Sequence, residues 1–553
     1  MTDQRTVTTA DVLVEELQAR GVEYIATLNG FGLNPLYLAC KKHGMRMIDV
    51  RNEQAASWMA EITGRLTRSV GVCAVSAAVA HLNALTGVAN AFFDGAPMLL
   101  ITGATPLARE GLGDFQDFDP VPTAAPLCKY ARKIDAPELV ASIVNEAFAA
   151  ATSGRPGPVH LALPIDVGRM PVEPGKILRS RQRSGEIRVG GAGDPALVER
   201  AAGLLKRAKK PLVIAGSGVY YSRGESALAE FVGQQHIPTV IPIWDRGSVP
   251  KPIDEFLGVI GAASGGPPYL AEADLILSFG AGSDYRVGQY SQPAIRQDAV
   301  VVRIAADAST LYQGVEADLS IQGSPAVVLE QLREACRTVK CPSASEWLAQ
   351  ARSWRDAYRK NCLDSAADLP AGTKARDVVL AVGEVLTDDA VLLVDGGNIG
   401  QWFHQLLLDR YSGDWITCGK SGVIGFGLPG AMAARVRYPE RPVILLSGDG
   451  SFTFTVAELE CAARQGLPFV AVVADDEQWG ISVSADLKTH GAPLYSTLGP
   501  TRLDTVAEGF GCIGVRVESR DELVPALREA LKADRPTVIH VPIVPGSPKG
   551  VRG

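Results

Sequence analysis

The residues best suited to chemistry are Gly448-Asp449-Gly450-Ser451 and, one helix and one strand later, Asp475-Asp476-Glu477-Gln478-Trp479-Gly480. Each cluster follows a short apolar run, Pro442 to Ser447 and Pro468 to Ala474, of the kind that forms a buried parallel strand. Between them Thr455 and Glu458 have the spacing of a capping box, and Val456, Leu459 and Ala463 continue at helical spacing. The unit reads strand, turn, helix, strand. A crossover connection returns the chain parallel to itself, so both acidic clusters fall at the same edge of a sheet, where open α/β sheets bind ligands. The chemistry suits a divalent cation bridging to a phosphate. Asp449, Asp476 and the backbone carbonyl of Gln478 would supply hard oxygen ligands, and the backbone N–H groups of Gly450 and Ser451 would face phosphate oxygens. A Gly-Asp-Gly triplet alone is most often an ordinary turn; the second cluster at this distance makes the signal specific.

That pairing resembles the thiamine diphosphate (ThDP) family, whose hallmark is Gly-Asp-Gly, a spacer of this length and usually Asn-Asn. Here the paired asparagines are Asp475 and Asp476, so the expected metal position carries a carboxylate where a neutral amide is usual. Two carboxylates already neutralise a magnesium ion, which leaves the diphosphate to backbone N–H groups and a helix N-terminus. A decayed site is the competing explanation. The resemblance implies Mg²⁺ on Asp449, Asp476 and Gln478, and ThDP among Gly448, Gly450, Ser451, Trp479 and Gly480. Upstream, the strand-like Val391 to Val394 runs into Asp395-Gly396-Gly397-Asn398, a second cradle for the diphosphate. Gly422-Val423-Ile424-Gly425 is close to another motif of the family. Ile424 matches the bulky residue that wedges under ThDP, and the Gly422 carbonyl would accept from the 4′-amino group. His404, on the helix after the second cradle, reads as an ordinary core or surface residue.

In the first third, the strand Met45 to Val50 ends at Arg51-Asn52-Glu53-Gln54, ahead of an alanine-rich helix. A glutamate at such a strand end is most often a solvated cap, but in the ThDP family a glutamate in this context touches the cofactor pyrimidine, which assigns Glu53 as the catalytic acid/base. The strand Val70 to Val75 leads to Ser76-Ala77-Ala78-Val79 where relatives have Gly-Pro-Gly, and a helix is expected over 84–92. The loop Gly113-Asp114-Phe115-Gln116-Asp117-Phe118-Asp119 reads as a surface loop anchored by aromatics. In relatives that are benzaldehyde lyases or 2-hydroxyacyl-CoA lyases, the corresponding glutamine, here Gln116, faces the reacting carbon.

At 553 residues the chain exceeds a single core. The middle third carries two strand-to-glycine turns, Gly216-Ser217-Gly218 and Gly280-Ala281-Gly282, without a full dinucleotide signature. With the resemblance, the expected fold is α/β: three Rossmann-like, doubly wound domains with mainly parallel six-stranded sheets. These are a pyrimidine-binding domain over 1–186, a central domain over 187–340, and a diphosphate-binding domain with a tail over 341–553. In relatives the central domain holds FAD, ADP or nothing, and a purely structural domain is the default. A net charge of -7 with 21% charged residues excludes a nucleic-acid binder. Nine scattered cysteines without a Cys-x-x-Cys pair, no signal-peptide pattern and no long apolar span lead to the expectation of a cytoplasmic enzyme with no membrane partner.

The implied activity is cleavage or formation of a carbon–carbon bond. Gln116 with its aromatic loop, and Trp479-Gly480, resemble the 2-hydroxyacyl-CoA lyase branch, so the leading expectation is a lyase, reversible as a carboligase, acting on a 2-hydroxyacyl-CoA. The alternatives are an acetolactate synthase-like or 2-oxo acid decarboxylase activity and, from another class, a non-catalytic ThDP-binding scaffold or regulatory subunit. Family members are active as dimers at minimum, and tetramers are common. In CoA-using members C-terminal segments close over the site, which singles out Lys549 and Arg552 in a Pro- and Gly-rich tail.

Overall fold

Runs of aliphatic residues buried on both faces dominate the chain. In Val443-Ile444-Leu445-Leu446 no residue is more than 1% exposed, the pattern of a parallel strand covered by helices on either side. The computed structural model describes residues 7–181, 190–245, 248–249, 252–338, 341–367 and 369–546, and Lys549 and Arg552 lie outside them. Among the described residues, three six-stranded sheets form, and every strand pairing within them is parallel.

The first sheet comprises β1 (Tyr24–Thr27), β2 (Arg46–Asp49), β3 (Gly71–Val75), β4 (Met98–Ala104), β5 (Tyr130–Lys133) and β6 (Pro158–Pro164), in the order β2-β1-β3-β4-β6-β5. The second comprises β7 (Pro211–Ala215), β8 (Thr239–Pro242), β9 (Phe256–Ile260), β10 (Leu275–Phe279), β11 (Val300–Ala305) and β12 (Leu319–Gln322), in the order β12-β11-β10-β7-β8-β9. The third comprises β13 (Val391–Asp395), β14 (Asp414–Thr417), β15 (Val443–Gly448), β16 (Val470–Asp475), β17 (Ile513–Arg516) and β18 (Thr537–Pro542), in the order β14-β13-β15-β16-β18-β17. The first and third orders are the same. In each the order reverses between the first and third strands of the sheet, the switch point at which such sheets bind ligands. The second sheet has the order of dinucleotide-binding folds. The expected three-sheet α/β architecture is therefore present, with wholly parallel sheets.

Contacts divide the chain into two compact units. One holds the first sheet with Met432–Tyr438 and Glu460–Gln465; the other holds the second and third sheets. The core of each is aliphatic, and Leu445, fully buried in β15, is typical: its truncation to Ala would cost about 2–5 kcal/mol. In the second sheet the two glycine turns meet each other. A Cβ on Gly216 would sit 2.4 Å from Ala281 Cα, and one on Gly280 2.4 Å from Gly218 Cα, so backbone packing already accounts for these glycines. No helix among the described residues is long and apolar enough to cross a membrane.

Two local expectations are corrected. The Gly-Asp-Gly segment is not a turn ahead of a helix but itself opens one, Asp449–Phe454, and a second helix, Glu458–Arg464, follows. Thr455 sits at the break, where its hydroxyl donates to the Gly425 carbonyl at 2.7 Å, a tertiary contact that capping-box spacing does not reveal. The helix after β3 is Val79–Asp94 and so starts before Ala84, because Ala78 takes the sharp turn itself with φ 51° and ψ -113°.

Candidate active site

β13, β15 and β16 are neighbours in the third sheet, with Asp395 opposite Ser447 and Gly448 opposite Ala474. Their carboxyl ends open on one edge, and the loops leaving them border a cleft of about 320 Å³. Every metal and cofactor candidate singled out between Gly396 and Gly480 lines it. Gly396, Gly397 and Asn398 follow β13; Gly422 and Ile424 precede the helix Gly427–Arg437; Gly448 ends β15 and Asp449, Gly450 and Ser451 open the helix after it; Asp476, Gln478, Trp479 and Gly480 follow β16. The glycine at 450 is a steric requirement, since a Cβ there would lie 2.5 Å from the Trp479 ring.

Beneath the cleft Asp395 is almost fully buried and ties two of these segments together. Its carboxylate accepts from the backbone N–H of Gly425 at 3.2 Å and of Gly427 at 2.7 Å, and from the Ser451 side chain. Burial nevertheless pushes its pKa up to about 7. The Ser451 hydroxyl is thus directed at Asp395.

Two carboxylates, Asp449 and Asp476, line the cleft, and a third, Asp475, touches Asp449. Burial, then the charges of Asp475 and Asp476, push Asp449 above the ordinary carboxylate range. Asp476 is raised to about 6 by burial, partly offset by a hydrogen bond from the Asn398 side chain. Asp475 has partners of its own: its Oδ1 accepts from Glu477 N–H at 3.1 Å and its Oδ2 lies 2.8 Å from His540 Nε2 on β18, while its carboxyl also meets that of Asp449. Burial works against its charge, but these two donors hold its carboxyl below the usual range. The loop behind Asp476 passes through a left-handed Glu477, φ 55°. It is pinned by Trp479 N–H to the Ser496 carbonyl at 2.8 Å and Leu498 N–H to the Glu477 carbonyl at 2.6 Å.

The two candidates of the first third lie in the other unit and are described there. Glu53 opens the helix Glu53–Thr67 behind an Asn52 cap, and its Oε2 accepts from Asn83 Nδ2 at 3.0 Å. Gln116 has φ 57°, unusual for a residue with a side chain, and its Oε1 accepts from the Ser76 hydroxyl at 3.1 Å. Ser76 and Asn83 flank the turn at Ala78, so the segment after β3 supports both candidates. His404 is a core residue as expected, buried 4.9 Å from the Trp244 ring centroid, and burial lowers its pKa to about 3.

Sequence reasoning missed several participants. His540 and Asp504 stand behind Asp475, and no motif marks them because the contact spans β16 to β18. Ile481, Ser482, Ile399 and Ile543 also line the cleft. The first two could have been found by continuing the helix Gly480–His490 back to the acidic cluster. The tail is docked as far as it is described, for the Gly546 carbonyl accepts from Asn398 Nδ2 at 3.2 Å and Trp402 Nε1 at 3.3 Å.

Chemically, the cleft suits a divalent cation held against phosphate. Asp449 and Asp476 lose water and repel each other, and a cation between them removes that cost. Among the described residues the Asn398 Oδ1 is buried without a hydrogen-bond partner, which leaves an acceptor at the wall. Among the described residues no group of three or more His, Cys, Asp or Glu forms a ready cation cage. Two carboxylates and a carbonyl are what a magnesium ion bridging to phosphates typically takes.

An open parallel sheet with a cation-and-phosphate cleft at its switch point defines a class of cofactor-binding α/β enzymes, and comparison with known proteins narrows it. Residues 395–541 match the C-terminal TPP (thiamine pyrophosphate) binding domain of thiamine pyrophosphate enzymes, residues 7–123 the N-terminal TPP binding domain, and residues 198–332 the central domain. An acetolactate synthase large subunit of Parasynechococcus marenigrum is 30% identical over 97% of this chain and 88% of its own length. A probable acetolactate synthase of Mycobacterium bovis is 29% identical over 96% and 94%. The 2-hydroxyacyl-CoA lyase 1 of Mus musculus is 29% identical over 98% and 95%. The chain belongs to the thiamine pyrophosphate enzymes, a family whose carbon–carbon bond chemistry the site fits.

Proposed function

We propose that the protein is a ThDP- and Mg²⁺-dependent lyase, reversible as a carboligase, that cleaves a 2-hydroxyacyl-CoA to an aldehyde or ketone plus formyl-CoA. The observation that carries this reading is Gln116, whose amide accepts from Ser76 at a left-handed turn on a loop with aromatic neighbours, the residue that the resemblance to 2-hydroxyacyl-CoA lyases singles out. The docking of Gly546 at the cleft supports a role for the tail that follows it. The acetolactate synthases among the relatives favour a second reading, decarboxylation of a 2-oxo acid and transfer of the remainder.

In the proposed assignment Asp449, Asp476 and the Gln478 carbonyl hold Mg²⁺, and the N–H groups of Gly450 and Ser451 with Gly396, Gly397 and Asn398 hold the diphosphate. Gly422 and Ile424 orient the rings, and Gly448, Trp479 and Gly480 complete the cleft. When bound, ThDP supplies a nucleophilic carbon and an electron sink. Glu53 exchanges a proton through the carboxylate oxygen that Asn83 does not occupy. Gln116 turns its amide to the reacting carbon. In the reaction the bond between the carbonyl carbon and the hydroxyl-bearing carbon breaks, the hydroxyl proton leaves as the aldehyde forms, and the formyl carbon gains a proton.

Two copies are the minimum active unit in this reading, so that Glu53 of one chain serves the cleft of its partner. Val79, Leu82, Phe92 and Phe93, 39–66% exposed along the helix Val79–Asp94, supply apolar surface for the pairing, and a tetramer is the larger assembly we infer. For the central domain we infer a structural role; ADP or FAD is the alternative. Nine cysteines, none of them paired, support a cytoplasmic location.

The deciding experiment supplies purified protein, ThDP and MgCl₂ with a 2-hydroxyacyl-CoA and, separately, with pyruvate. Formyl-CoA and aldehyde from the first are expected, and removal of residues 547–553 is expected to raise KM for the thioester while leaving ThDP affinity in place. Turnover of pyruvate alone would establish the second reading. ThDP binding with no turnover of either would make the protein a scaffold or regulatory subunit.

A further inference from the structure

The family pattern has a neutral amide at position 475, and a third carboxylate there ought to compete for the cation or repel the diphosphate. The structure contains a device that deals with it. His540 is 1% exposed and stands between two carboxylates, Nε2 at 2.8 Å from Asp475 Oδ2 and Nδ1 at 3.2 Å from Asp504 Oδ1. Asp504 is fixed in turn by Arg502, through Nε at 3.0 Å and Nη2 at 2.6 Å. Oδ2 faces the imidazole and Oδ1 holds the Glu477 N–H at 3.1 Å, at the left-handed residue just ahead of Gln478, which lines the cleft. The chain Arg502, Asp504, His540, Asp475 thus runs from the surface to the root of the acidic loop.

We propose that His540, oriented by Asp504, is a positioning residue: it fixes the Asp475 carboxylate, which also meets that of Asp449, and makes it the anchor of the loop that carries Asp476 and Gln478. This inference rests on the cation site proposed above. His540 belongs to neither the Gly-Asp-Gly nor the Asp-Asp motif, and its value depends on the aspartate at 475. An asparagine there carries no charge to be restrained, so the need for His540 should disappear with Asp475.

The test is a double-variant cycle read by calorimetric titration of ThDP into apoprotein at fixed MgCl₂, for wild type, His540→Leu, Asp475→Asn and the pair, with a thermal melt of each apoprotein. His540→Leu should weaken ThDP binding, and in the Asp475→Asn background the cost of the same change should shrink by about tenfold. If His540 only packs the core, its removal costs the same in both backgrounds, and the inference falls. Should His540→Leu fail to fold, Asp504→Asn takes its place: it leaves the imidazole but removes its outer support, and its cost must also shrink when Asp475 becomes Asn. Wild-type ThDP binding that ignores MgCl₂ would overturn the cation site itself, an outcome distinct from an additive cycle.

Discussion

The first and third sheets have the same strand order, yet their carboxyl edges are furnished in opposite ways. On the third, three loops bring carboxylates, glycine backbone and a buried aspartate into one cleft, cross-braced by Asp395 and by the chain behind Asp475. On the first, Glu53 is held by the Asn83 side chain, and Gln116 by Ser76 at its amide and Thr105 at its carbonyl. A dense, charged edge suits holding a cation and a diphosphate; a sparse edge leaves its side chains less constrained. The topology supplies an edge, and the residues in its loops decide the use.

Several measurements would break or sharpen that division. The largest effect is expected from Glu53→Gln, which should lower kcat by about 10²–10⁴-fold with ThDP affinity retained, because it removes a proton carrier and few binding contacts. Parallel loss of affinity in calorimetry would place Glu53 on the binding side. Asp449→Ala should do the reverse at the third sheet and weaken Mg²⁺-dependent ThDP binding by about a hundredfold or more; unchanged affinity would remove the cation assignment.

A smaller effect is expected on pH dependence. Asp476, raised from 3.8 to about 6, and Asp449, also raised, keep protons in the folded apoprotein that the unfolded chain has already lost. Apoprotein stability contributed by these groups is therefore full below the unfolded value and lost as pH rises through the folded ones. A melting temperature that falls between about pH 4 and 7, and recovers with MgCl₂, is the expected record. A fall that MgCl₂ leaves untouched would locate its cause elsewhere. At the first sheet, Ala78→Gly relieves a strained backbone, φ 51° and ψ -113°, and should stabilise the protein by about 1 kcal/mol. An unchanged melting temperature would mean that the strain is taken up by the surrounding turn.

What could be read from the chain alone was whatever is local and periodic. Aliphatic runs such as Val443 to Leu446 announced strands, and crossover geometry put Asp449 and Asp476 on one edge because parallel strands end on the same side. Strand runs and crossover spacing, together with the resemblance to the ThDP family, therefore reached the three-sheet architecture and the lining of the cleft. Only the tertiary structure assigned the carboxylates their separate tasks. Asp475 and Asp476 are neighbours in sequence and look interchangeable. Yet a strand directs consecutive side chains to opposite faces, and the one near His540 on β18 becomes an anchor while the other enters the cleft. The partners of Glu53 and Gln116, and the hydroxyl of Thr455 turned to Gly425, were equally beyond local reading, since each joins segments that only folding brings together.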